Sequence, residues 1–184
     1  VLNVETVHVA FLEKQLSQIN NTLAFQGADL EDPTVMAGAI TEALDRAVTE
    51  EILYQNAVIE GVQIASEDVQ AEYDRIITIF PDEAALNKAL AENNFTTDLL
   101  FYDIERQLSI QRYIDSQINT ELTEVGEEEV RALYEEYETQ FPDIPPFEDI
   151  EFELKDQLTQ EAISAQVSAL IETLRAEAEV ETYI

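Results

Sequence analysis

Apolar positions recur at steps of three and four along almost the whole chain, the period of one helical face. Leu12, Leu16, Ile19 and Leu23 set such a stripe and predict a first helix from about His8 to Phe25, ended by Gly27. Pro33 tolerates the first helical position because its missing N–H has no partner there, and Asp32 before it is a suitable N-cap. The second helix is expected to run to about Glu60 with Ile40, Leu44, Ala47, Val48 and Ile52 inward, and Gly61 stops it. Ser66 is expected to cap a third helix to about Ile79, and Pro81–Asp82 to open a short fourth one to about Asn93. After a break at Asn94–Thr96, Thr96 or Thr97 caps a long helix to about Ile118, with Phe101, Ile104, Leu108 and Ile114 on its stripe. Two further helices are predicted, from about Gly126 to Gln140 and from about Phe147 to Ala178. The last carries Leu154, Leu158, Ala162, Val167, Leu170, Ile171 and Leu174 on its apolar face.

Both ends are β-prone: Val1–Val7 and Val180–Ile184. A lone strand is unstable in water, so the two are expected to pair. The predicted fold class is therefore all-α with a small two-stranded β closure between the N- and C-termini. Residues 1–184 read as one domain, with a core lobe of about 1–61 and 145–184 and a helical arm or sub-lobe of about 62–141. Exchange of the end strands or long helices between copies allows a swapped homodimer.

Composition sharpens this picture. A chain of 184 residues buries about 70% of its unfolded surface, and 46% hydrophobic residues supply a core. Only four Gly and five Pro occur, so they punctuate helices rather than fill loops. The net charge is −31, from 40 acidic against 9 basic residues. Nucleic acid and anionic membrane surfaces would be repelled. No apolar run is long enough for membrane insertion. Two readings of the acidity stand open: a solvated surface adapted to a salty habitat, or a surface that attracts basic clients.

The chain has no cysteine, which excludes thiol catalysis, disulfides and zinc–thiolate sites. No calcium-loop, Walker, nucleophile-elbow or zinc-protease pattern occurs. His8 is the only histidine and reads as a surface residue. Glu127, Glu128 and Glu129 point in different directions on a helix and suit its first turn better than a cation. No cofactor is expected. Fifteen aromatic residues are spread through the helices. Those left over from the stripes, with one aliphatic neighbour, are candidates for a client-binding surface: Tyr73, Ile77, Phe80, Tyr102 and Tyr137.

Five segments in order carry a family likeness. Residues 47–73 pass from a helix ending in Gly61, through a short link, to Ser66 at the next helix start. Phe80–Phe95 holds a short helix and an Asn-Phe turn, and Thr97–Ile118 a long helix with Arg106-Gln107-Leu108. Glu127–Phe141 includes Glu-Val-Arg-Ala-Leu-Tyr-Glu-Glu, and Phe147–Ile184 a final helix and strand. This succession resembles the SurA/PrsA-like peptidyl-prolyl isomerase chaperones. The opening Val1–Val7 resembles their first strand but carries Val4 where Gly is usual. In such proteins the isomerase domain follows the fourth of these segments and precedes the fifth. Here only Pro142, Asp143 and Ile144 separate Phe141 from Pro145, and a folded domain needs at least about 50 residues. The parvulin domain is therefore absent from that position. The resemblance implies a holdase-type chaperone for unfolded or partly folded exported polypeptides, without enzyme activity or ATP. It also implies an extracytoplasmic location, with any signal or anchor removed before Val1. The alternative is a helical scaffold for one specific folded partner.

Overall fold

The computed structural model describes residues 9–119, 123–141 and 143–179. Seven helices follow in order: α1 (Val9–Phe25), α2 (Pro33–Ile59), α3 (Ser66–Ile77), α4 (Glu83–Glu92), α5 (Thr97–Gln117), α6 (Glu127–Gln140) and α7 (Phe147–Glu177). No strand occurs among the described residues. This corrects the expected two-stranded β closure: the all-α class stands, and the β element does not. Its segments, 1–7 and 180–184, lie outside the described residues, as does His8. Each helix bonds its own backbone internally, and the end of the last helix is held by side chains instead. Arg175 in the final turn of α7 donates to Asp45 Oδ1 at 2.6 Å, to the Asp45 carbonyl at 2.9 Å and to Thr49 Oγ1 at 2.5 Å, all on α2.

The caps follow the local chemistry. Asp32 accepts from Thr34 N at 2.7 Å, Asp82 from Ala85 N at 2.8 Å, and Thr96 Oγ1 from Leu99 N at 3.1 Å. At α3 the N-cap is Ala65 and not Ser66; Ser66 is already the first helical residue. Gly27 and Gly61 take φ of 79° and 75°, the left-handed conformation in which glycine ends a helix. Glu129 accepts from Gly126 N at 2.8 Å and Glu127 pairs with Arg131, so the acidic first turn of α6 serves the helix itself.

The chain forms two compact units. One runs to Tyr113 and takes up the chain again from Leu174; the other spans Ile114–Thr173. These boundaries cut through α5 and α7 and differ from the expected division into a lobe of about 1–61 and 145–184 and an arm of about 62–141. In the first unit α1 packs on α2: Ile19 with Leu12, Leu16 and Leu23 meets Ala39 and Ala43. The buried stripe of α2 is thus Ala39, Ala43 and Ala47, while Ile40 of the expected stripe is exposed. Alanine leaves room for the leucines of α1, so the smaller residues face inward. A second cluster joins α3, α4 and α5 through Tyr73, Leu86, Leu100 and Ile104. A third sets Ala10 and Phe11 of α1 against Phe95. In the other unit, Val130 of α6 packs with Phe147 and Leu154 of α7.

Candidate functional site

Helices α1, α4 and α5 enclose a cavity of about 420 Å³ in the first unit, within the range that holds small ligands or single side chains. Its apolar wall is built from Phe80, Leu86, Leu90, Phe95 and Leu100. The wall exists because α4 is short and amphipathic: its apolar stripe turns toward α5, where Leu86 (2% exposed) meets Leu100. The polar side is set by Glu13 and Lys14 of α1, Glu92 at the end of α4, Asn94 just after it, and Asp103 of α5. Lys14 Nζ donates to Asp103 Oδ2 at 2.6 Å, joining α1 to α5 across 89 residues of sequence. Asn94 stands at φ 56°, a left-handed conformation that asparagine tolerates better than most residues. Its amide reaches Glu13 Oε2 at 3.4 Å.

On α5, one turn from Asp103, lies a buried cation. Arg106 is 3% exposed. It pairs with Glu51 of α2 at 2.9 Å, and its guanidinium lies 4.3 Å from the Tyr54 ring centroid, 4.9 Å from Phe11 and 5.8 Å from Tyr102. Burial opposes its charge, but the Glu51 carboxylate and Tyr102 hydroxyl outweigh that and hold its pKa above the ordinary arginine value. Burial, with Tyr102 beside it, pushes the Tyr54 phenol up to about 12, although Arg106 pulls the other way. This cluster of three rings, a guanidinium and a carboxylate ties α1, α2 and α5 together.

Of the five expected client-binding residues, Tyr73, Ile77 and Phe80 meet in the apolar cluster of α3, α4 and α5. Phe80 lines the cavity. Tyr73 is buried and stacks on Phe101 at 4.5 Å, and Ile77 is half-buried on the same cluster. Tyr102 is 41% exposed but leans on Phe11 and Tyr54 at 6.0 and 6.4 Å. Tyr137 belongs to the other unit, where its hydroxyl accepts from Gln157 Nε2 at 2.9 Å and its ring meets Phe141 edge-on.

Other apolar side chains stand further into solvent. Phe25 is 94% exposed and Phe152 79%, with Ile79, Ile59, Phe141 and Val58 also outside. Phe152 carried a usable signal: it sits between Glu151 and Glu153 and off the Leu154–Leu158 stripe. Phe25 ends its helix two residues before Gly27 and has no stripe partner one turn further on. Nothing in the one-dimensional pattern marks Leu86, Leu90, Phe95 and Asp103 as neighbours.

Among the described residues no group of three or more acidic or histidine side chains is arranged to hold a metal ion, and no helix is long and apolar enough to cross a membrane. No family model, curated protein or solved structure matches the chain.

Proposed function

We propose that this chain is an ATP-independent, holdase-type chaperone that binds unfolded or partly folded exported polypeptides through apolar surface, without catalysis. The observation that carries the reading is the set of large apolar side chains held outside on a strongly charged chain, Phe25 and Phe152 above all. Single exposed apolar side chains are ordinary in folded proteins, and Phe25 and Phe152 stand out as the most exposed large apolar side chains among the described residues. Binding that buries about 300 Å² of apolar area gains roughly 7 kcal/mol before ordering costs, enough for weak capture and ready release. The surrounding carboxylates keep a loaded complex in solution by repulsion between copies. The likeness to SurA/PrsA-like isomerase chaperones, with no parvulin domain between Phe141 and Pro145 here, supports the same reading and the extracytoplasmic location that goes with it.

A second reading, a scaffold for one folded partner, draws on the cavity in the first unit. The two separate in a test of breadth. Two unrelated, chemically denatured proteins, one acidic and one basic, are diluted into buffer with the chain, and light scattering is followed at several salt concentrations. A holdase protects both. The double variant Phe25→Ser, Phe152→Ser keeps its helical circular dichroism, because neither side chain is in the core, and protects less well. Protection of neither client favours the scaffold, and protection of the basic client alone, lost in salt, assigns binding to charge.

A further inference from the structure

The cavity between α1, α4 and α5 has an unequal chemistry. One side is apolar, formed by Phe80, Leu86, Leu90, Phe95 and Leu100; the other carries three carboxylates, Glu13, Glu92 and Asp103, against one cation, Lys14. That cation is already committed, at 2.6 Å, to Asp103 Oδ2. Asp103 is only 7% exposed, and its other oxygen, Oδ1, is buried with no hydrogen-bond donor. A buried carboxylate oxygen without a donor is costly and rare in folded proteins, and here it belongs to a residue that lines a cavity. The rest of the molecule adds to the sign: of nine Lys and Arg residues, eight are held in ion pairs, so the excess of carboxylates is unneutralised by the chain itself.

We infer that this cavity is a subsite for a basic–apolar polypeptide segment, one whose large apolar side chain enters against Leu86 and Phe95 while a neighbouring Lys or Arg meets Asp103, Glu13 and Glu92. The inference rests on the polypeptide-binding reading above and gives it a chemistry. A volume of about 420 Å³ accommodates one aromatic or leucine side chain with part of a basic stem. A guanidinium or ammonium in the cavity offsets the excess of carboxylate there, and the exposed Glu13 and Glu92 can meet it directly. An acidic segment meets repulsion from the same three groups. Selection is therefore by charge at the lip and by size at the wall, and it is independent of backbone sequence elsewhere in the client.

The test is direct binding to the full chain by fluorescence anisotropy, using three labelled synthetic peptides of equal length. One has a central Phe flanked by Lys, one a central Phe flanked by Glu, and one Lys flanks around Ser. At low salt the Lys–Phe peptide is expected to bind tightest, and both controls at least tenfold more weakly. Glu13→Gln and Glu92→Gln alter exposed side chains and leave the fold intact; each is expected to weaken the Lys–Phe peptide by about 2- to 5-fold and leave the Glu–Phe peptide unchanged or tighter. Ala89→Phe fills the cavity from its α4 side and is expected to abolish binding while helical circular dichroism is retained. Equal affinity for the Lys–Phe and Lys–Ser peptides overturns the inference, because the apolar wall then plays no part. Unchanged binding in folded Ala89→Phe overturns it too, since the peptide then sits elsewhere. The aggregation assay is scored separately: protection of clients by a chain whose cavity variants bind peptide normally sinks the subsite and leaves the chaperone reading standing. Peptide binding lost in Ala89→Phe, with no protection of any client, does the reverse.

Discussion

Arg106 shows how much of this protein depends on one side chain that the apolar pattern passes over. It occupies a position between Ile104 and Leu108 where a polar residue is usual on a helix surface, yet it is buried against three rings and Glu51. Its guanidinium suits the place because it is planar, stacks on aromatic faces and is less strongly hydrated than an ammonium. Truncation leaves Glu51 buried beside an empty space. Arg106→Ala is expected to lower stability by about 3–5 kcal/mol, read in urea unfolding, with Arg106→Lys recovering only part of the loss. A loss below 1 kcal/mol would show that the pair is solvated in solution. Tyr54, in the same cluster, carries the pH dependence. Its folded pKa of about 12 stands above the ordinary value of 10, so the unfolded chain releases that proton first. The stability linked to it is complete below pH 10 and is lost as pH rises toward 12. Tyr113, raised by burial with Glu60 and Glu177 beside it, acts in the same direction. Absorbance of tyrosinate in the folded chain is expected to lag that of the unfolded chain, and the urea midpoint to fall from pH 10 upward; a midpoint flat to pH 12 contradicts the assigned burial.

At the scale of elements, helices and caps follow closely from local sequence, because Asp32–Pro33, Asp82 and Gly61 act on their own neighbours. Which face each helix buries follows less closely. On α2, Ala47 and Ile52 of the expected stripe are buried, but Ile40 is exposed and Leu44 and Val48 are half-buried, while Ala39 and Ala43 one position before Ile40 and Leu44 are buried in their place. A helix with apolar residues all round has no unique inward face until its neighbour is known. On α5, Asp103, Arg106 and Ser109 are buried among apolar residues because partners reach them from α1 and α2 or from the preceding turn. The α6–α7 pairing is simpler and offers a local test. Leu154 is 4% exposed and packs against Val130 and Phe147. Leu154→Ala is expected to cost about 2–5 kcal/mol, and hydrogen exchange should show α6 amides losing protection while those of α2 keep theirs. Uniform loss across both helices would mean that the chain unfolds as one cooperative body.

Charge acts on the whole molecule. A net −31 repels itself most where screening is weakest, with a Debye length of about 30 Å at 0.01 M salt and about 3 Å at 1 M. Four cations tie separate helices together: Lys14 to Asp103, Arg106 to Glu51, Arg112 to Asp68 and Arg175 to Asp45. These pairs are few beside the carboxylates that face one another. The melting midpoint is therefore expected to rise from 0.01 M to 1 M salt, and a flat or falling midpoint would remove the idea of a surface adapted to high salt.

From residues in order, the chain determines its helices, their caps and their all-α class, since a cap or a stripe needs only neighbours within one or two turns. The same order of residues marks Phe152 as an aromatic set among carboxylates. It does not reveal the cavity, the Arg106 cluster or the burial of Tyr73, which depend on contacts between residues far apart in sequence, as Lys14 and Asp103 are at 89 positions. The β closure expected from the two β-prone ends has no counterpart among the described residues. Whether a side chain is core, lip or solvent is a property of what folds against it, and only the assembled helices hold that information.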